Sequence, residues 1–180
     1  PSIIWCDSRA VPIGEAAFKA LGPDFCLKRY LNGPGNFTAS KLKWVKDREP
    51  ENYARIRHFI LPGDYIAYRL TGEVCTTVTG LSEGILWDFS ENTPAEKLLE
   101  HYGIESALVA PIADNFDVQG KLTAGAAEAL GLKPGVPVTY RAGDQPNNAL
   151  ALNVLQPGEV AATGGTSGVV YGVVDRLIAD

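Results

Sequence analysis

Methionine is absent from this sequence, and histidine and cysteine are scarce, with two and three residues among 180. With no methionine there is no initiator. An apolar, strand-like run beginning at the second residue then reads as a chain cut from something longer. Cys6, Cys26 and Cys75 are widely spaced and odd in number. No pair has the spacing of a metal site, and the odd count suits a reducing, cytoplasmic setting better than a disulfide framework. His58 and His101 have no evident partner, so they read as surface residues rather than as ligands or catalysts. Basic charge is also short: the net charge is -5 and the pI about 5.1. Nucleic acid is thereby an unfavourable partner, since its phosphates require a basic face. No apolar run approaches the ~20 residues of a membrane span. The first residues carry neither a basic leader nor a cleavage pattern, so they are not a signal peptide. What remains is 46% hydrophobic and 21% charged, the balance of a soluble globular domain with a sizeable core.

Punctuation by proline and glycine organises the chain. Ser2 to Cys6 is short, apolar and β-branched, and predicts a buried strand ending at Asp7-Ser8-Arg9. Residues 11–22 predict a helix stopped by Gly22-Pro23, and residues 32–36 (Asn-Gly-Pro-Gly-Asn) a loop. Thr38 predicts a helix cap, with Leu42, Trp44 and Val45 behind it at helical spacing. Pro50 opens a further helix through Tyr53, Ile56 and Phe59, and Pro62 another that Gly72 closes in the left-handed region. Thr76 to Asp88 reads as loop, helix and a short extended piece. Helices are expected over Thr93 to Tyr102 and over Ala124 to Leu130, the second capped by Thr123. A strand follows from Val136 to Tyr140, then a helix from about Asn147 to Leu155. Val160 to Thr163 and Val169 to Val174 form a glycine-linked hairpin. The class is mixed α/β, with loops at strand ends forming a site.

Three segments can carry chemistry. Asp144, after a strand and before a helix, can accept a proton from a hydroxyl or hold Mg²⁺ in phosphoryl transfer; equally, it can cap the helix behind it. Gly164-Gly165-Thr166-Ser167-Gly168 can turn backbone N–H groups and hydroxyls towards phosphate oxygens, or simply turn a hairpin. It is not a P-loop, because no Gly-Lys-Ser/Thr ending and no helix follow. Trp5-Cys6-Asp7-Ser8-Arg9 combines an aromatic face, a carboxylate and a guanidinium, the groups that hold polyhydroxylated ligands. It can also be a buried tryptophan beside a surface Asp–Arg pair. Lys41, Lys43 and Lys46 read as a solvated helix face, and Trp44 and Trp87 as core.

In order, four stretches closely resemble the FGGY family of carbohydrate kinases. They are Ile3 to Arg9; Phe37-Thr38-Ala39-Ser40-Lys41-Leu42-Lys43-Trp44-Val45; Leu61-Pro62-Gly63-Asp64-Tyr65 with Arg69-Leu70-Thr71-Gly72-Glu73; and Gly143-Asp144-Gln145 followed by Gly165-Thr166-Ser167-Gly168. The likeness covers about residues 2 to 174. It implies a ribonuclease H-like, actin-like ATPase fold of two domains with ATP and sugar between them. Residues 1–155 would be the later part of the first domain, and 156–180 the opening hairpin of the second. By the same resemblance Asp144 is the base, Gln145 binds the sugar, and Trp5 and Asp7 form the sugar-side wall. Gly165, Thr166 and Ser167 then face the phosphates of ATP.

The implied reaction is ATP- and Mg²⁺-dependent phosphorylation of a free sugar, D-xylulose foremost. Ribulose, gluconate or glycerol kinases stay open, glycerol being weakened by Asn36 where such kinases carry an aromatic residue. A sugar-binding protein without turnover and an actin- or chaperone-like ATPase are the other readings. The partners implied are sugar and ATP, without nucleic acid or membrane, and a homodimer is left open. The family's first phosphate hairpin, its Met-His-Gly-like segment and its adenosine site are not among these residues. The isolated segment is therefore expected to be inactive.

Overall fold

The computed structural model describes residues 3–164 and 168–179. Two compact units divide it: the first runs to Arg141, and the second is Ala142–Ile178.

The first unit is built around helices. α1 (Val11–Leu21) and α2 (Pro23–Tyr30) both start on a proline-bearing first turn, where a missing N–H costs nothing. α2 was not expected; Gly22-Pro23 opens it rather than a loop, with Asp24 in its first turn and Lys28 and Arg29 in its last. Those charges complement the helix dipole. α3 (Thr38–Arg48) is capped by Phe37, so Thr38 is its first residue and not its cap. α4 (Pro50–Tyr53) is a single turn, shorter than the predicted run to Phe59. α5 (Pro62–Thr71) has the predicted bounds, with Gly72 left-handed at φ 80°.

Beyond α5 the strands are two residues long. β1 (Thr76–Thr77) pairs in parallel with β4 (Ile112–Ala113). β2 (Trp87–Asp88) and β3 (Thr93–Pro94) pair antiparallel, as do β5 (Gly120–Lys121) and β6 (Pro137–Val138). Among them lie α6 (Val78–Glu83), α7 (Glu96–Tyr102) and α8 (Ala124–Leu130). Thr93 thus belongs to a strand, and α7 starts three residues after it. Thr123 caps α8 as predicted, its hydroxyl accepting from the Ala126 N–H at 3.3 Å.

Leu98, Leu99 and Ala95 are fully buried, and with Tyr30, Cys26, Leu42, Leu81, Leu86 and Trp87 they make one core. Trp87 is core as expected, whereas Trp44 is only half-buried.

The predicted strand at Ser2 to Cys6 is overturned over its described residues. Residues 3 and 4 have no regular structure, 5 and 6 lie in a turn, and Ile4 and Trp5 are 57% and 87% exposed. No strand among the described residues offers this segment a ladder, so its apolar side chains have no sheet to enter. The strand expected at Val136 to Tyr140 contracts to β6.

In the second unit, α9 (Asp144–Ala151) begins three residues earlier than predicted. Pro146 falls in its first turn, where it breaks no helical hydrogen bond. The predicted hairpin is β7 (Val160–Gly164) with β8 (Gly168–Gly172), antiparallel from Val160↔Gly172 to Gly164↔Gly168. α9 packs on β7, with Ala149 and Ala161 buried.

Candidate active site

In the first unit, the turn at residues 4–7 closes through the Asp7 N–H donating to the Ile4 carbonyl at 3.1 Å. Three side chains hold it. Asn36 Nδ2 donates to the Asp7 carbonyl at 2.5 Å and to the Trp5 carbonyl at 3.4 Å. Lys41 Nζ donates to the Ile4 carbonyl at 2.8 Å. Arg9 Nε donates to both Asp7 carboxylate oxygens at 2.8 and 2.9 Å, and its Nη2 lies 2.7 Å from Oδ2. The Arg9 side chain, first by this hydrogen bonding, holds the Asp7 carboxyl below its usual range. The Arg9 guanidinium in turn sits 4.4 Å above the centre of the Trp44 ring, a cation–π contact. The Trp5 side chain stands free of this network and exposed.

The lysines of α3 lie at the surface, and each has a partner there. Besides Lys41, Lys43 pairs with Asp47 at 2.5 Å, and Lys46 donates to the Gly103 carbonyl.

In the second unit, Asp144 is the first residue of α9 and is exposed. Its Oδ1 accepts from the Gln145 N–H at 2.9 Å, and its Oδ2 lies 3.4 Å from Gln145 Nε2. Among the described residues these contacts are to the adjacent residue alone. Gly165, Thr166 and Ser167 lie outside the described residues, between the last ladder pair Gly164↔Gly168. Glu159 fixes the approach to β7, its carboxylate accepting from the Leu155 and Gln156 N–H groups at 2.7 and 2.9 Å. Those backbone bonds lower its pKa.

The structure thus gathers Trp5, Asp7 and Arg9 in one unit and Asp144 and Gln145 with the hairpin in the other. Asn36, Lys41 and Trp44 are the supporting residues that sequence reasoning did not assign to the site.

Residues 1–151 match the FGGY family of carbohydrate kinases, N-terminal domain, and the chain belongs to that family. The xylulose kinase of Streptomyces rubiginosus is 35% identical over 184 residues, covering 100% of this chain and 37% of that protein. The Bacillus subtilis xylulose kinase is 28% identical over 172 residues, covering 94% and 34%. The crystal structure of xylulose kinase from Rhodospirillum rubrum superposes with a TM-score of 0.84 at 29% identity, over 91% of this chain and 34% of that one. Plasmodium falciparum glycerol kinase with ADP shares the fold at TM-score 0.84 and 20% identity. The fold is therefore the actin-like ATPase type of these kinases, and the chain spans about a third of the length of its curated relatives.

Proposed function

We propose that the protein carrying this chain transfers the γ-phosphoryl group of ATP to a hydroxyl of a free sugar, a pentulose such as D-xylulose, with Asp144 as base. The observation that carries the reading is the family match together with the position of Asp144. It stands at the start of a helix packed on the very hairpin that bears Gly165, Thr166 and Ser167. Among the described residues Asp144 accepts hydrogen bonds only from Gln145, which leaves carboxylate lone pairs for a substrate hydroxyl. A base must come within ~3 Å of the proton it takes, and an exposed carboxylate meets that need on the sugar's arrival. Gln145, half-buried beside it, orients the sugar. Trp5 offers an exposed ring to a C–H face, and Asp7, fixed by Arg9, offers its remaining acceptor capacity to hydroxyls.

The residues 165–167 are the proposed phosphate loop, and the boundary between the family's two domains falls near 155. ATP supplies the transferred group. Among the described residues no group of three or more His, Cys, Asp or Glu side chains could hold a metal. Mg²⁺ bound with ATP is held by one or two carboxylates together with the phosphates and water, and no residue and no step is assigned to it. All three cysteines are unbridged, in keeping with a reducing, cytoplasmic setting. Among the described residues no helix is long and apolar enough to cross a membrane. A homodimer belongs to the same proposal and is tested by light scattering.

The deciding experiment is Asp144→Asn in the full-length protein, assayed for ADP formation on D-xylulose, ribulose, gluconate and glycerol. Turnover should fall by about 10²- to 10⁴-fold with sugar binding retained, and the 180-residue segment alone should show none. Near-parental turnover by Asp144→Asn would refute the base assignment.

A further inference from the structure

We propose that Arg141 is a positioning residue for Asp144, clasped into the first unit at the point where the chain leaves it. The inference rests on the reading of Asp144 as base. Arg141 is the last residue of the first unit, and Ala142 opens the second. Its Nε donates to Asp64 Oδ1 at 2.8 Å, and its Nη2 donates to the Cys75 carbonyl at 2.9 Å. The two side chains are nearly closed to solvent, 11% and 3% exposed. The stem of Arg141 passes Gly63, where an added Cβ would stand 3.6 Å from its Cδ. Asp64 is itself immobilised: its Oδ2 accepts from the Leu61 N–H at 3.0 Å at the start of α5.

The far side of the junction is held as well. Asn147 Nδ2 donates to the Ala142 carbonyl at 3.0 Å, and the Asn147 N–H donates to the Gly143 carbonyl at 3.2 Å. Both residues that separate the clasp from Asp144 are thus tied to α9. Any loosening of Arg141 is therefore passed to the chain that leads directly into the base.

Stability alone is a poor reason for this arrangement. A buried ion pair is often no more stabilising than apolar residues of the same volume. Arg141 Nη1 is moreover buried without a hydrogen-bond partner among the described residues, which adds a cost. What the guanidinium offers is a planar fork that fixes direction, gripping a carboxylate and a carbonyl from two different segments at once. A lysine ammonium has no such planar fork.

The test uses the full-length protein, with Arg141→Lys, Arg141→Leu, Asp64→Asn and the reference Asp144→Asn. The readouts are kcat, the sugar KM, thermal midpoint and backbone hydrogen exchange over residues 139–146. Arg141→Lys should lose roughly ten- to a hundredfold in kcat, the scale of a misplaced catalytic group. Its KM should stay near parental and its midpoint should fall modestly, while exchange over 139–146 accelerates. Arg141→Leu should lose more, and adding Asp64→Asn to it should cost nothing further. Parental kcat in Arg141→Lys beside an inactive Asp144→Asn overturns the positioning role. If Arg141→Leu fails to fold, Arg141→Lys and Asp64→Asn decide. If Asp144→Asn stays active, the base reading has failed by itself; exchange over 139–146 then decides alone whether Arg141 anchors the segment, and unchanged exchange overturns it.

Discussion

The side-chain amide of Asn36 donates to the Asp7 carbonyl at 2.5 Å, joining two points 29 residues apart in the chain. Its second, longer contact reaches the Trp5 carbonyl. One side chain therefore sets the backbone of both residues proposed to face the sugar. The Asn36 Oδ1 is buried and has no partner among the described residues, so the amide is retained at a cost for its donor end. Asn36→Ala should release the turn and raise the sugar KM by about two- to tenfold, the equivalent of one net hydrogen bond. The kcat should change less, since Asp144 is not involved. Asn36→Asp should act in the same direction and further, as it replaces the donor with an acceptor facing a carbonyl. Steady-state kinetics on the full-length protein check this, and an unchanged KM in both variants would dismiss the role.

The loop that carries Asn36 is seated by a glycine contact. A Cβ on Gly14 of α1 would fall 1.8 Å from the Gly35 carbonyl oxygen and 2.5 Å from its carbon. Backbone atoms cannot swing aside as a side chain can, so Gly14→Ala must part α1 from the loop. The expected cost is about 1–3 kcal/mol, as for overpacking in general, and the Asn36 contacts should suffer with it. Gly125, inside α8, has nothing within 4 Å of an added Cβ. Gly125→Ala should instead stabilise by about 0.5–1 kcal/mol, the helix preference of alanine over glycine. Urea denaturation of the two variants should give opposite signs.

These contacts explain why some features were legible in the sequence and others not. α5 and α8 carry their limits in local residues: Pro62 with Gly72, and Thr123 with Gly131. The hairpin is equally local, with β-branched runs around a glycine-rich link. α2 was missed because Gly22-Pro23 signals a loop as readily as a helix start. The segment at Ile3 to Trp5 misled because an apolar run states that burial is favourable, not that a partner strand exists. At the site, the Asp7–Arg9 pair spans two residues and could be anticipated. Lys41 meets the Ile4 carbonyl across 37 residues, and Arg141 meets Asp64 across 77. No local pattern encodes contacts of that range; packing of separate elements creates them. Asp144 fell between the cases. Its place between strand and helix was readable, and its exact station as the first helical residue depended on how Pro146 was accommodated.

The buried tyrosine of α2 gives a pH-dependent prediction. Tyr30 is 2% exposed and packs edge-on to Phe25, with ring centres 5.7 Å apart. Burial, chiefly, pushes its pKa up to about 12, and the nearby Asp88 charge adds to this; the Leu98 backbone offsets only part. The hydroxyl makes no hydrogen bond of ordinary geometry among the described residues. Below pH ~10 both folded and unfolded chains keep the proton, so the group exerts no pH effect there. Above it the unfolded chain releases the proton while the folded one holds it until near 12, so stability falls through that window. By pH ~11 the loss from this residue should be about 1 kcal/mol, one pKa unit's worth. Tyr30→Phe should match the parent closely at pH 8 and become the more stable of the two as pH rises. Tyr102 provides the contrast. Its hydroxyl is 2.8 Å from Ser40 Oγ in the same core, so Tyr102→Phe should cost about 1 kcal/mol already at pH 8. Urea denaturation followed by tryptophan fluorescence between pH 8 and 11 reads both differences. A gap between parent and Tyr30→Phe that stays constant across that range would show that the Tyr30 hydroxyl reaches solvent, or a partner, in the folded protein.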